Sequence, residues 1–186
     1  DRSPSRGLGD VYKRQISNNL KNYKNGDYVV GAVTSLGKTI ISQNSYFVNN
    51  SGRWGGAISA TGAELRKNSS TLTVSNTIFK DNSALYAGAV YIWGSNYNIA
   101  DCVFDNNTAF GKGNMTPNNN NGGALVVTQG NIPISGTIIN SNFTNNKAQY
   151  GGAIDICAGT IKITNSKFIN NSADAVSYTH LRAHET

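Results

Sequence analysis

A phenylalanine followed three residues later by an asparagine occurs at five places in this chain, and the intervals around those pairs constrain the fold more than any other feature. The pairs are Phe47 and Asn50, Phe79 and Asn82, Phe104 and Asn107, Phe143 and Asn146, and Phe168 and Asn171. Two residues beyond each Asn stands Gly52, Ala84, Ala109, Ala148 or Ala173. A glycine pair or its remnant follows in four of the five: Gly55-Gly56-Ala57-Ile58, Gly88-Ala89-Val90, Gly122-Gly123-Ala124-Leu125 and Gly151-Gly152-Ala153-Ile154. From Phe to the Ala of the glycine motif the distance is 10 residues in three repeats, and from that Ala to the next Phe it is 15 in two, so the underlying period is 25 residues. Gly31-Ala32-Val33 stands the same interval ahead of Phe47 and marks an earlier, degenerate coil.

A unit of that length is too short for most paired-helix repeats and suits one turn of a solenoid. Within it the apolar residues alternate, as at Leu72 and Val74 or Ile161 and Ile163 before the Phe, and at Val90 and Ile92 or Leu125 and Val127 after the glycines. Alternation gives a strand one inward and one outward face. A single coil cannot bury its inner face, whereas coils stacked about 4.8 Å apart pair every strand with those above and below. The spacing therefore predicts an all-β chain, a right-handed single-stranded parallel β-helix of about 25-residue coils. Phe47, Phe79, Phe104, Phe143 and Phe168 would stack inside as an aromatic ladder. Asn50, Asn82, Asn107, Asn146 and Asn171 would form a turn ladder whose amides bond along the axis. Glycine is expected where the chain needs positive φ or where the next coil approaches closely. The spacer from Phe104 to Ala124 is ten residues longer than the norm, so residues 110–121 should bulge as a loop, and insertions at 61–70 and 129–133 should do the same.

Residues 1–15 and 176–186 share neither the rhythm nor the composition of the middle. Both resemble translated sequencing-adapter read-through, with disordered polar arms as the alternative, and the solenoid is expected over residues 16–175. The chain carries +6 formal charge, but residues 16–175 hold 11 Lys/Arg and 7 Asp/Glu with no run of like sign. No nucleic-acid partner is expected, because such binding concentrates Lys and Arg on one face. No apolar stretch is long enough to cross a bilayer as a helix. Six Asn-x-Ser/Thr sequons, at Asn49, Asn68, Asn106, Asn114, Asn142 and Asn170, would permit glycosylation of an exported chain.

The paired GGAI and FxxN motifs resemble those of the polymorphic outer membrane protein repeat, and equally those of adhesin-like proteins of methanogenic archaea. The resemblance runs over about residues 28–174 and departs from the pattern at Ala87, which replaces a first glycine, and at the lengthened spacers. It implies a surface or secreted protein associated with attachment, extended by further β-helix coils in a longer chain.

No catalytic site is expected. Both histidines, His180 and His184, lie in the C-terminal segment set aside, which removes Ser-His-Asp and Cys-His chemistry from the middle. Asp101 and Asp105 are the nearest thing to a carboxylate pair, and the acids fall at mostly unmatched repeat positions. No cofactor and no metal are expected. Cys102 takes the slot two before Phe that Ser45, Thr77, Ser141 and Ser166 fill elsewhere, whereas Cys157 lies in another slot, so no disulfide is expected. Trp54, Tyr86 and Tyr150 precede the first glycine, and Tyr91 and Trp93 should point outward. With Arg53 they form a candidate surface for a sugar ring or a protein of a host or neighbouring cell. The other reading is that they cap turns against the next coil. At the level of function the expectation is an extracellular or cell-surface adhesin-like module, the alternative being a fragment of a carbohydrate-active β-helix enzyme of the pectate-lyase type.

Overall fold

The computed structural model describes residues 14–17, 31–42, 44–62, 70–111, 121–128 and 133–174. Among them every regular element is a β-strand, and the strands pair in parallel into four sheets. Five successive coils each give one strand to each sheet. Sheet I follows the glycines and holds Val33–Ser35, Ile58–Thr61, Val90–Trp93, Leu125–Thr128 and Ile154–Ile156. Sheet II holds Thr39–Ile41, Ser70–Ser75, Ser95–Ala100, Ser135–Ile139 and Thr160–Thr164. Sheet III carries the phenylalanines on Ser45–Val48, Thr77–Lys80, Val103–Asp105, Asn142–Thr144 and Lys167–Ile169. Sheet IV is made of residue pairs, from Ser51–Gly52 to Ser172–Ala173. A further strand, Arg14–Ser17, adds to sheet III with Ile16 opposite Phe47, and so takes in two residues of the N-terminal segment set aside above.

Both expected ladders are present. The five Phe rings stack with centroids 5.1, 4.7, 4.6 and 4.9 Å apart and planes within 12° of parallel. The first four are buried, while Phe168, in the last described coil, is 45 % exposed. In the Asn ladder the backbone N–H and side-chain amide of each Asn donate to Oδ1 of the Asn in the next coil at 2.9–3.1 Å. From the second coil on, the same amide also donates back to the preceding Phe carbonyl at 2.8–3.0 Å. Four of the five Asn residues are buried, each with its amide held by carbonyl oxygens, which is what a dry interior demands of a polar group.

The ladder steps are 32, 25, 39 and 25 residues, so the 25-residue period is the basic coil and not a constant one. The excess falls between sheets and never within a strand. Val90 pairs Leu125 and Leu125 pairs Ile154 in unbroken register across it. The segments that absorb the excess, expected as loops, lie largely outside the described residues.

Glycine plays both of its expected parts, close approach more often than positive φ. Of the described glycines only Gly94 and Gly159 have positive φ. The second glycine of each motif is required by contact: a Cβ on Gly56, Gly88 or Gly123 would overlap the carbonyl oxygen of Gly88, Gly123 or Gly152 in the next coil. Positive φ falls mainly to ten Asn and Asp residues in two columns. Asn44, Asn76, Asp101, Asn140 and Asn165 turn the chain from sheet II to sheet III, and Asn49, Asp81, Asn106, Asn145 and Asn170 turn it from sheet III to sheet IV. Asn and Asp are the non-glycine residues that tolerate this conformation best. This accounts for eight of the chain's 27 Asn residues.

Cys102 is a free thiol buried in the column of Ser45, Thr77 and Ser141. Members of this column cap the corner, as when Ser141 Oγ donates to the Ile139 carbonyl at 2.9 Å and accepts the Cys102 N–H at 3.1 Å. Burial pushes the Cys102 thiol pKa up to about 11. On the inner face of sheet II, Tyr97 is buried beside Gly136, and its ring fills the space that a Cβ at Gly136 would occupy.

Candidate functional site

The outer surfaces differ sharply in character. At the corner leading into sheet I, the residues before the bridged column Gly55, Ala87, Gly122 and Gly151 are Trp54, Tyr86, Asn121 and Tyr150. Trp54 and Tyr86 stack at 4.5 Å with planes 13° apart, and the Arg53 guanidinium lies 5.4 Å over the Trp54 ring. Tyr91 does alternate outward from Val90 and Ile92, but it is not an exposed residue: only 8 % of its surface is accessible. Trp54 and Tyr86 cover it, at 5.1 and 6.4 Å between centroids, and Trp93 packs on the same cluster. Burial, with Cys157 and Tyr86 nearby, pushes its phenol pKa up. Trp54, Tyr86, Trp93, Tyr150 and Arg53 are half-buried. The first three form one packed cluster across two coils, leaving parts of their faces to solvent. Tyr150 is separated from Tyr86 in the corner column by Asn121.

Asn121 is a junction. Its amide donates to the Gly111 carbonyl at 2.6 Å, its Oδ1 accepts the Gln149 N–H at 3.0 Å, and its own N–H donates to the Asp155 carboxylate at 2.8 Å. Burial raises the Asp155 pKa, against the lowering effect of the Asn121 N–H and of Cys157. Cys157 keeps surface in solvent, yet crowding around its sulfur and the adjacent carboxylate push its thiol pKa up, away from the reactive thiolate.

Two of the other acids, Asp81 and Asp101, prove to be matched to the repeat, whereas Asp105 shares its row with Val48, Lys80, Thr144 and Ile169. Asp81 and Asp101 occupy positive-φ corner positions that Asn fills in other coils. They accept amide N–H groups from Asn106 at 2.7 Å and Asn140 at 3.2 Å. Asp105 accepts Thr144 at 2.9 Å and Asn145 at 3.0 Å and pairs with Lys80 at 3.4 Å. Burial alone would raise its pKa, but those hydrogen bonds and the Lys80 charge outweigh it and hold it below the usual value. Each carboxylate of the Asp101 and Asp105 pair is thus committed to a neighbouring coil. Among the described residues no three of His, Cys, Asp and Glu gather as metal ligands would.

The outer face of sheet II carries a further feature that spacing alone did not single out. Thr71, Asn96, Ser135 and Thr160 form one row along the axis, and Thr73, Asn98, Thr137 and Lys162 the next. All of these except Thr73 line a shallow depression of about 470 Å³, together with Tyr97 and Gly136. Asn96 Oδ1 accepts the Ser135 N–H at 2.9 Å, and Asn98 Oδ1 accepts the Thr137 hydroxyl at 3.0 Å. A legible signal existed, since Thr and Asn at alternate positions of the pre-Phe strand recur from coil to coil.

Comparison with known proteins bears on both ladders and corners. Residues 44–61, 101–128 and 140–156 match the Chlamydia polymorphic membrane protein repeat. The chain is also 32 % identical over 103 residues to metabotropic glutamate receptor-like protein R of Dictyostelium discoideum, a stretch that is 55 % of this chain and 6 % of that protein. No solved structure matches significantly. The three matched segments contain FxxN and GGA residues that the structure places in its ladders and glycine contacts, and in those segments the chain is similar to the polymorphic membrane protein repeat.

Proposed function

We propose that this chain is part of a secreted or surface-displayed adhesin-like protein, in which stacked coils hold outer faces toward glycans or proteins of a host or neighbouring cell. The observation that carries the reading is the match of three segments to a membrane-protein repeat whose defining residues build an unbranched parallel solenoid. Such a scaffold offers length and repeated surface, and its stability resides in rows that leave the exterior free to vary. Further coils of a longer chain would stack on the same rows. The chain spans about 6 % of the curated relative it matches, so attachment is proposed for the whole protein to which these coils belong.

A noncatalytic role is part of the proposal. The engagement of Asp101 and Asp105 in bonds to neighbouring coils favours it over the polysaccharide-cleaving alternative, which needs carboxylates available to substrate. The test is adhesion of chain-coated beads to cultured cells and immobilised glycans, with Trp54→Ala and Tyr86→Ala variants checked for an unchanged β spectrum. Retention of the parent on at least one surface, with no release of reducing ends or unsaturated uronates from polysaccharides, is the expected result. Cleavage without retention would overturn it.

A further inference from the structure

We propose that the outer face of sheet II is a binding site for an anionic polysaccharide, laid over the second to fifth coils; this rests on the adhesion reading and gives it a ligand class. The argument starts from the orientation of two amides. A backbone N–H can only donate, so the bond from Ser135 fixes Oδ1 of Asn96 toward the fourth coil and turns its NH2 away. Asn98 Oδ1 accepts from the Thr137 hydroxyl at 3.0 Å, which turns its NH2 the other way, though a hydroxyl can also accept and so holds this amide less firmly than Ser135 holds Asn96. The two NH2 groups stand two residues apart on one strand and make no hydrogen bond to described residues. They are held donors, which lose little freedom when a ligand takes them.

The charge around them points the same way. Among the described residues no carboxylate lines the depression, and the one exposed ionisable group there is Lys162, directly along the row from Thr137. Two oriented amide donors, hydroxyls and an ammonium call for an acceptor-rich, negatively charged partner. At about 470 Å³ the depression is within the usual range of small-ligand sites, and its shallow, open form suits a segment of a polymer. The rows set a polar group in each coil at the spacing of about 4.8 Å, so an extended ligand running along the axis meets a hydroxyl, amide or ammonium at every coil. The packed Trp54 and Tyr86 cluster, by contrast, spends much of its aromatic surface on itself.

The test uses the 186-residue chain against immobilised heparin, polygalacturonate and uncharged dextran. Binding to a charged polymer, weakened by salt, with dextran ignored, is expected. Asn98→Asp keeps an acceptor for Thr137 but replaces the donor with a like charge, and should weaken binding about tenfold or more. Lys162→Ala should act similarly. Lys167→Ala, on sheet III of the same coil, should leave binding within about twofold if the site and not net charge is responsible. Melting curves of Asn98→Asp matching the parent separate loss of a donor from loss of fold. Polyanion binding that survives both sheet II substitutions, falls equally with Lys167→Ala, or extends equally to dextran overturns the site and leaves adhesion standing. Failure of the parent to bind any polyanion, together with failure of coated beads to adhere to cells, overturns both.

Discussion

Asn107 stands at the middle of the turn ladder, and replacing it tests whether the buried amides hold the coils together. The residue is fully buried. Its Oδ1 takes the Asn82 backbone N–H at 3.1 Å and the Asn82 amide at 3.0 Å. Its own amide donates to the Phe79 carbonyl and to Asn146 Oδ1, both at 3.0 Å. Leucine is of similar bulk but orphans both Asn82 donors, at about 1–3 kcal/mol each. After about 1–2 kcal/mol is returned by apolar burial, the expected net loss is about 3 kcal/mol. Asn107→Asp isolates the donors, since it preserves shape and both acceptors while setting a carboxylate against the Phe79 and Asn146 oxygens. Burial and those oxygens raise its folded pKa above the unfolded value of about 3.9. The penalty is therefore small below that value, where the acid is protonated in both states and can donate one bond. It grows by about 1.4 kcal/mol per pH unit as pH climbs from the unfolded toward the folded pKa. Urea titrations of parent, Leu and Asp variants at about pH 3.5 and pH 7 read the difference through the denaturation midpoints. The Leu deficit should be similar at both values, and the Asp deficit should grow by about 2 kcal/mol or more. An Asp deficit that does not change with pH, or a Leu variant within about 1 kcal/mol of the parent, would refute a supporting ladder.

Gly136→Ala should cost about 1–3 kcal/mol because its Cβ meets the Tyr97 ring, and Tyr97→Leu should remove most of that cost; additive losses in the double-mutant cycle would contradict the contact. Tyr97→Phe should be neutral or stabilising by up to about 1 kcal/mol, because the buried hydroxyl makes no hydrogen bond among the described residues, and a clear fall in melting temperature would refute this. Gly88→Ala should unfold or severely weaken the chain through the Gly123 carbonyl of the next coil; Gly122→Ala would meet the Leu125 carbonyl of its own coil, a contact that the coil carrying Ala87 accommodates, and should be the milder substitution by thermal melt. Asp105 has a folded pKa below its unfolded value, so its stabilisation is present above the unfolded pKa and is lost as pH falls through the folded one. Asp105→Asn should accordingly flatten the acid limb of the stability profile, and an unchanged limb would show that other carboxylates govern it.

The fold was legible because its strongest determinants recur at fixed intervals. Phe and Asn three residues apart must lie on one corner of one coil, and a shared interval puts them in rows. What the intervals could not convey was the work of residues defined by backbone angle. The first Asn of the repeat and the residue before the ladder Asn carry positive φ, and the same property explains Asp81 and Asp101, which looked unmatched when only carboxylate chemistry was considered. Tyr91 was placed on the correct face, but alternation reports direction and not cover. Whether an outward residue is exposed depends on its neighbours in adjacent coils, here Trp54 and Tyr86. The donors of sheet II were hidden for a related reason, because Asn96 and Asn98 acquire their orientation only from Ser135 and Thr137, 39 residues onward.

The uneven ladder steps explain how such a scaffold can change its exterior without losing its core. Seven residues beyond the basic coil enter the 32-residue step and fourteen enter the 39-residue step, yet Phe47 and Phe79 remain stacked at 5.1 Å and Phe104 and Phe143 at 4.6 Å. Insertion between sheets adds loop-closure entropy that rises only logarithmically with length, on the order of 0.6 kcal/mol per doubling. Insertion of a single residue within a strand would send every following side chain to the wrong face and break the Phe and Asn rows together. Length variation is therefore confined to corners between strands, and chemical variation to outward positions, such as the Thr and Asn rows of sheet II. Adding one residue between Phe104 and Asn107 should consequently abolish cooperative unfolding, whereas adding three glycines within residues 112–120 should move the urea midpoint only slightly. Equal tolerance of the two insertions would mean that the rows do not set the register.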